Sequence, residues 1–166
     1  MFHSNSGGVS AGINEVWEIE LPYLINHEDS YSNNQPPFKW ISGIPKTKIK
    51  EKLNTFGLNF KEIIDIIPVE KSKSQRISTL KIIGENNEIF LNGNSFRLMV
   101  SPYLIKSTIF QIENKGKNFI LSGNGFGHGV GMSQWGAFNM GQSGYNYKEI
   151  LKFYYPNTLL KKINDL

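Results

Sequence analysis

Apolar positions along the chain follow helical spacing in some stretches and alternate in others. Ile49, Leu53 and Phe56 recur at i, i+4 and i+7, which predicts a helix that stops near Gly57. Short apolar or alternating runs predict strands at residues 38–41, 77–83, 88–91, 110–112 and 119–121. This mixture already favours a fold that contains both helices and strands.

The intervening segments give weaker signals. Asn92-Gly93 is a turn signal, and Ser95 is a suitable cap for a short helix before residue 100. Residues 60–69 fit either one face of a helix or a buried strand, because their apolar residues suit both patterns. Residues 27–37 are polar and contain two adjacent prolines, so they predict a surface loop.

Two helices are predicted near the C-terminus. Ser133 can cap a helix over residues 134–140, and Asn146 with Glu149 has the spacing of a capping box for a second helix. Strands and helices do not alternate regularly, which favours an α+β fold. We expect one domain over residues 1–166, with a glycine-rich loop before the C-terminal helix pair.

Composition excludes several classes of function. The net charge is +4, from 18 Lys and Arg against 14 Asp and Glu, and the lysines are scattered rather than clustered, so no nucleic-acid partner is expected. The absence of cysteine excludes disulfides and thiolate metal sites. No stretch reaches the ~18 apolar residues of a membrane span, and no signal peptide is visible at the start.

The most unusual stretch is residues 118–147, which contain no Asp, Glu, Lys or Arg and hold eight of the 16 glycines. Five of these glycines alternate from Gly123 to Gly131. An extended segment of this kind would leave one face bare and present Phe126 and His128 on the other. The pattern fits a binding site, or a glycine hairpin in which His128 is a buried, hydrogen-bonded imidazole. It fits neither a phosphate loop nor the dinucleotide fingerprint.

Residues 125–137, GFGHGVGMSQWGA, closely resemble the C-terminal signature of the stage II sporulation protein D and LytB amidase-enhancer family. Residues 2–8, FHSNSGG, are similar to that family's FHSxSGG segment. Residues 15–24, 77–100 and 147–160 also fit, in the same order along the chain. The resemblance therefore covers nearly the whole sequence.

The resemblance implies a role at peptidoglycan, in the cell envelope. The sporulation protein resembles a lytic transglycosylase that acts on glycan strands, and the LytB-type members enhance a cell-wall amidase. In the family, the catalytic glutamate lies upstream of the FHSxSGG segment, and nothing in this chain matches its motif. We therefore expect a catalytically incomplete domain that binds glycan strands, and one that is marginally stable or pairs with another polypeptide.

We expect the two motif segments to meet and line one glycan groove. Its polar groups and stacking ring would come from His3, Ser4, Ser6, His128, Ser133, Gln134 and Trp135. Trp135 fits core packing as well as stacking on a sugar. Glu15 is the best internal candidate for a catalytic acid; the alternative is a solvated carboxylate before a buried Trp17. His27 is expected at the surface. No metal or cofactor is expected, because no ligand spacing is present.

Three functions compete at this point. The first is a peptidoglycan-active or peptidoglycan-binding domain, and the second is a non-enzymatic enhancer of an N-acetylmuramoyl-L-alanine amidase. The third is a domain that binds polyanions through its positive charge. Polyanion binding weakens steeply with salt, whereas glycan binding through hydroxyl groups does not, so a salt series separates the third function from the first.

Overall fold

A computed structural model describes residues 1–17, 19–33 and 38–161. The strands are β1 (Phe2–His3), β2 (Val9–Ser10), β3 (His27–Glu28), β4 (Lys39–Pro45), β5 (Ile63–Lys71), β6 (Ile77–Gly84), β7 (Glu88–Asn92), β8 (Ile109–Lys115), β9 (Asn118–Asn124) and β10 (Met132–Ser133). The helices are α1 (Lys46–Asn54), α2 (Gly93–Val100), α3 (Gln134–Gln142) and α4 (Tyr147–Tyr154). Two short 3-10 turns cover Ile13–Glu15 and Ser30–Ser32. The predicted α+β class is confirmed.

Two three-stranded antiparallel sheets form the body of the molecule. Their strand orders are β4-β9-β8 and β5-β6-β7. Strands β8 and β9 form a hairpin, in which Lys115 pairs with Asn118 next to the turn. The large hydrophobic core lies between these sheets and helices α1 and α2, and it includes Ile49, Leu53 and Phe96, all fully buried. The helix predicted from the spacing of Ile49 and Leu53 is therefore confirmed.

The structure decides the ambiguous segment and corrects two helix boundaries. Residues 63–71 form strand β5, because they pair along β6. Helix α1 ends at Asn54, so Phe56 is exposed instead of lying on its buried face. Helix α2 is capped by Asn92, whose side chain accepts hydrogen bonds from the backbone N–H groups of Asn94 and Ser95. The predicted Ser95 cap is therefore wrong, and the turn signal at Asn92-Gly93 marks the passage from β7 into α2 rather than a hairpin.

The two C-terminal helices begin as predicted. Ser133 caps α3 through a hydrogen bond from the Gly136 N–H at 3.1 Å. Asn146 and Glu149 form a complete capping box at the start of α4. None of the helices in the described part of the chain is long and apolar enough to span a bilayer.

The predicted surface loop at residues 27–37 is only partly a surface loop. Residues 34–37 lie outside the described residues. The part that is described contains β3 and a 3-10 turn, and it buries Asp29 and Ser32 completely. A buried carboxylate needs hydrogen-bond donors from other segments, and polarity along the sequence does not reveal such donors.

Candidate functional site

The two motif segments lie side by side. Strand β1 pairs in parallel with β10, which places Phe2 opposite Met132 and His3 opposite Ser133. Isolated bridges extend the contact from Asn5 to Phe126 and from Ala11 to Val130. The expectation that the two motifs meet in space is confirmed. We call residues 2–11 and 125–133 the paired segments.

Four of the five alternating glycines do not lie in an extended strand, whereas the first, Gly123, is part of β9. Gly125, Gly127, Gly129 and Gly131 have φ angles of 80°, 112°, 86° and 72°. These angles lie in the left-handed region, which side chains disfavour. The segment is therefore the predicted glycine-rich loop, and the bare face considered for an extended segment does not form. The sequence shows the same alternation of glycines whether the backbone is extended or left-handed at each glycine, so the pattern alone cannot distinguish the two conformations.

Two of these glycines also allow close packing between segments. A Cβ atom on Gly127 would lie 2.8 Å from the Cβ of His3. A Cβ atom on Gly129 would overlap the guanidinium of Arg76. The glycines thus let the loop bend sharply and pass directly over His3 and Arg76.

His3 is an interior residue with only 4% of its surface exposed. Its Nδ1 donates to the backbone oxygen of Val130 at 3.2 Å, and its Nε2 has no hydrogen-bond partner among the described residues. Burial, together with the positive charge of Arg76, lowers the pKa of His3 to about 3. The imidazole is therefore neutral at physiological pH and acts as a packed support.

His128 is held by the backbone on both sides of its ring. Nε2 donates to the oxygen of Phe2 at 3.0 Å, and Nδ1 accepts from the N–H of Val130 at 3.1 Å. Burial lowers the pKa of His128 to about 4. Its ring centroid lies 5.6 Å from that of His3 and 5.2 Å from that of Trp17. This orients an uncharged imidazole beside an indole that is 37% exposed.

Arg76 ties the two segments together, and sequence reasoning missed it. The side chain is 2% exposed, its Nε donates to the oxygen of His128 at 3.1 Å, and its Nη2 donates to the oxygen of Ser6 at 2.8 Å. Burial lowers the pKa of Arg76 to about 10, opposed by the negative charge of Glu15. The sequence offered one indication of a special role for Arg76: arginine is rare in this chain, with only two among the 18 Lys and Arg residues. Both arginines are buried.

Glu15 is held in place by two serines that follow the end of β5. Its Oε2 accepts from the hydroxyls of Ser72, at 2.6 Å, and Ser74, and from the N–H of Ser74 at 3.3 Å. These three hydrogen bonds hold the carboxyl group in place through one of its two oxygens. The alternative of a solvated Glu15 before a buried Trp17 is wrong, because the carboxyl group is hydrogen-bonded and the indole is partly exposed. The role of Glu15 as a catalytic acid stays a prediction.

A second buried network lies beneath Ser133. The hydroxyl of Ser32 lies 2.6 Å from both Asp29 Oδ2 and Ser133 Oγ, and the Tyr154 hydroxyl donates to Asp29 Oδ1 at 3.1 Å. Burial, reinforced by Asp29, raises the pKa of Tyr154. The network joins the second 3-10 turn to α3 and α4. It was not predicted, because its members are far apart in the sequence.

The remaining expected site residues divide by exposure. Ser6 and Ser133 are fully buried, and their hydroxyls accept from the N–H groups of Gly8 and Gly136, so in this conformation they support the backbone. Two other expected site residues reach solvent: Ser4 is half-buried, and Gln134 is exposed.

Trp135 is half-buried and packs against a neighbouring ring. Its indole lies edge-on to Phe138 at 5.7 Å, and its backbone N–H donates to the oxygen of Ser4 at 3.1 Å. Stacking of Trp135 on a sugar stays a prediction. His27 is also half-buried rather than freely exposed, because its ring packs on Phe153 at 4.8 Å. No three His, Cys, Asp or Glu side chains in the described ranges are grouped to hold a metal ion.

Comparison with known proteins places these segments in a family. The model of a domain of unknown function, DUF8618, matches residues 11–131. An uncharacterised protein of Brachyspira hyodysenteriae is 34% identical over 93% of this chain and 40% of its own length. The amidase enhancer of Bacillus subtilis is 26% identical over 96% of this chain and 29% of its own. Stage II sporulation protein D of Bacillus subtilis is 27% identical over 97% of this chain and 44% of its own.

The chain thus spans less than half the length of each of these relatives. The resemblance to stage II sporulation protein D and the amidase enhancers, first carried by the two motif segments, is confirmed over nearly the whole chain. Because the family model matches most of its residues, the protein belongs to the family of the domain of unknown function DUF8618.

Proposed function

We propose that this chain has a role at the bacterial cell wall and binds the glycan strands of peptidoglycan. The observation that carries the proposal is the pairing of residues 2–11 with residues 125–133. This pairing sets the neutral ring of His128 against the partly exposed Trp17. An aromatic ring beside uncharged hydrogen-bonding groups suits a sugar, which has an apolar face and hydroxyl edges. Relatives named stage II sporulation protein D and amidase enhancer support a role at the wall.

The ligand-contacting residues in this proposal are Trp17, His128, Ser4, Gln134 and Trp135. His3, Ser6 and Ser133 support them from the interior. Charge plays a small part, because residues 118–147 hold no Asp, Glu, Lys or Arg. Binding should therefore depend on ring contacts and hydroxyl hydrogen bonds, and hardly on salt.

We propose binding rather than cleavage for this stretch of chain. Breaking a glycosidic bond requires a proton for the leaving oxygen, normally from a carboxylic acid. Both histidines of the paired segments are neutral at physiological pH, and His128 already donates its N–H to a backbone oxygen. Glu15 accepts three hydrogen bonds at Oε2. Residues 2–11 and 125–133 themselves contain no Asp or Glu.

The test is retention of the chain on purified glycan strands from which the stem peptides have been removed. Trp17→Ala should reduce retention by about tenfold, in the range of a lost aromatic contact. Tyr103→Ala removes an aromatic side chain that is 79% exposed elsewhere and should leave retention unchanged. Equal retention of both variants would contradict the proposed surface.

Two further readouts separate the alternatives. Raising the salt from about 50 mM to about 200 mM should change glycan retention little, whereas a polyanion-binding domain would lose most of its affinity. Mass spectrometry of the glycan should find no new 1,6-anhydro ends. If such ends appear, the chain contains a catalytic acid, and Glu15→Gln is the first variant to examine.

A second candidate function is stimulation of a cell-wall amidase, as the name of one relative suggests. The structural feature that favours it is the outer face of the β5-β6-β7 sheet. Ile67, Lys81 and Phe90 lie in one row across it, and Ile67 and Phe90 are 42% and 63% exposed. Phe90→Thr should abolish stimulation of an N-acetylmuramoyl-L-alanine amidase on whole peptidoglycan. Phe56→Thr, at another exposed ring, should not.

A further inference from the structure

A separate cleft of about 930 Å³ is lined in part by the first 3-10 turn, Ile13–Glu15. Its lining comes from two parts of the chain. We call residues 12–15, 20–22 and 24–26 the first wall, and residues 70–73 and 78–79 with Asn92 the second wall. Its volume lies within the range of clefts that hold small ligands. Apolar side chains, among them Leu21 and Ile25, line the first wall beside its polar groups.

The two walls carry different charges. The first wall contributes acids, Glu15 and Glu20, and no base. The second contributes Lys71 and Lys73 together with Glu70, whose carboxylate accepts from the Thr79 hydroxyl at 3.2 Å. Glu15 is occupied by Ser72 and Ser74, so Glu20 is the acid of the first wall that remains available.

The available charges do not neutralise one another. Glu20, Lys71 and Lys73 are exposed, and none of them forms an ion pair with another residue in the described ranges. Charges of both signs therefore line the cleft without pairing in the described ranges, and they are left for water or for a ligand that carries both signs. A ligand of one sign would be attracted to one wall and repelled by the other.

From this arrangement we infer that the cleft binds a short peptide that carries both a free ammonium group and a free carboxylate. The ammonium group faces Glu20, and the carboxylate faces Lys71 and Lys73. Aliphatic parts of the peptide lie against Leu21 and Ile25. Recognition by both charges selects against peptides that lack either one.

The cleft adjoins the proposed glycan surface through one short stretch of backbone. Ile13 and Glu15 line the cleft, and Trp17, two residues further on, contacts His128. Peptidoglycan carries short peptides of this charge type on its glycan. The identification of the ligand as a stem peptide therefore rests on the proposed function, although the charge argument does not.

The test is calorimetric titration of the full 166-residue chain with the tripeptide L-alanyl-γ-D-glutamyl-meso-diaminopimelate. We expect binding that weakens by about tenfold with Glu20→Gln and at least as much with Lys71→Gln/Lys73→Gln, as for the loss of one charge contact. Glu51→Gln on α1 and Lys152→Gln on α4 are charge-matched controls outside the cleft and should bind normally.

A tripeptide with its amines acetylated and its carboxylates amidated should not bind. The proposal is overturned if this blocked peptide binds equally well, if the cleft variants bind like the controls, or if no binding is detected. Retention on peptide-free glycan, measured on the same samples, separates the two proposals. If the chain is retained on glycan but does not bind the tripeptide, only the proposal for the cleft is wrong. If it binds the tripeptide but is not retained on glycan, only the proposal for the glycan surface is wrong.

Discussion

At the scale of single residues, the paired segments depend on one buried guanidinium. Arg76 donates to the oxygen of Ser6 in one segment and to that of His128 in the other. The planar fork of arginine can reach both carbonyls at once, whereas a lysine ammonium on a flexible stem cannot do so in the same geometry. Arg76 therefore determines how the two segments sit relative to each other.

Arg76→Lys should lower the free energy of unfolding by about 2 kcal/mol, since at least one buried carbonyl loses its donor. Urea denaturation measures this loss. Arg97→Lys is the comparison variant, because Arg97 is also buried but donates to Asn94 and to the Lys106 oxygen, and so reaches the paired segments only through that oxygen, which also accepts from the Gly127 N–H. Arg76→Lys should shift the imidazole resonances of His128 more than Arg97→Lys does. Equal shifts in both variants would contradict the positioning role.

The buried histidines make stability depend on pH in a defined direction. The pKa of His3 falls from 6.5 in the unfolded chain to about 3 in the folded one. Between these values the unfolded state binds more protons, so acid favours unfolding. The contribution of His3 is complete above pH 6.5 and is lost progressively as the pH falls toward its folded pKa.

His3→Asn should reduce this acid sensitivity, because the amide can still donate to Val130 but does not titrate. The free energy of unfolding of the unsubstituted protein should fall by about 2 kcal/mol more than that of the variant between about pH 7 and about pH 5. Urea denaturation across this range measures the difference. Parallel curves for the two proteins would show that His3 does not titrate as inferred.

At the scale of elements, the glycine-rich loop is the part that tolerates substitution least. Gly129 has a φ of 86°, and an added Cβ would overlap the Arg76 guanidinium. Gly129→Ala should therefore cost about 3 kcal/mol or more, combining strain with displacement of a buried group. Gly141 lies in α3 with open space around its Cβ position. Gly141→Ala should be neutral or stabilise by up to about 1 kcal/mol.

Thermal denaturation followed by circular dichroism compares these two variants, and the yield of folded protein provides a second readout if Gly129→Ala is too unstable to melt. Similar melting temperatures for both variants would contradict the packing described for Gly129. A loss in Gly129→Ala alone would show that the alternating glycines are needed for the close approach of Arg76.

Elements with local signals could be predicted from the sequence, and elements that depend on distant contacts could not. The caps at Ser133 and Asn146 were identified, because capping uses residues two or three positions away. The meeting of the two motifs was expected from the family resemblance. The roles of Arg76 and Asp29 were missed, because their partners are up to 125 residues away. Polarity alone suggested a surface position for the segment that contains Asp29.

At the scale of the whole molecule, the hydrophobic interior is divided unequally. The large core lies between the two three-stranded sheets, α1 and α2. The smaller cluster has four buried members, Ala11, Ile13, Leu24 and Val130, and lies beside the paired segments. The strands that join the paired segments are only two residues long. Less buried apolar surface and shorter strand pairing imply lower local stability.

Native-state hydrogen exchange should therefore divide the amides into two groups. Leu121 in β9 lies in the large core and should exchange only through global unfolding, with protection that falls steeply as urea is added. The Ala11 amide donates to the Gly129 oxygen at 2.8 Å between the paired segments and should exchange through local opening that urea hardly affects. Equal protection and equal urea dependence at both amides would show that the molecule opens as one unit.

The same experiment links stability to the proposed function. If glycan strands bind across Trp17 and His128, they stabilise the closed arrangement of the paired segments in proportion to their affinity. Saturating glycan should then slow exchange at Ala11 more than at Asn54 in α1, which lies away from the paired segments. Trp17→Ala should remove this added protection. Slowing that is uniform along the chain, or that persists in the variant, would place the bound glycan elsewhere.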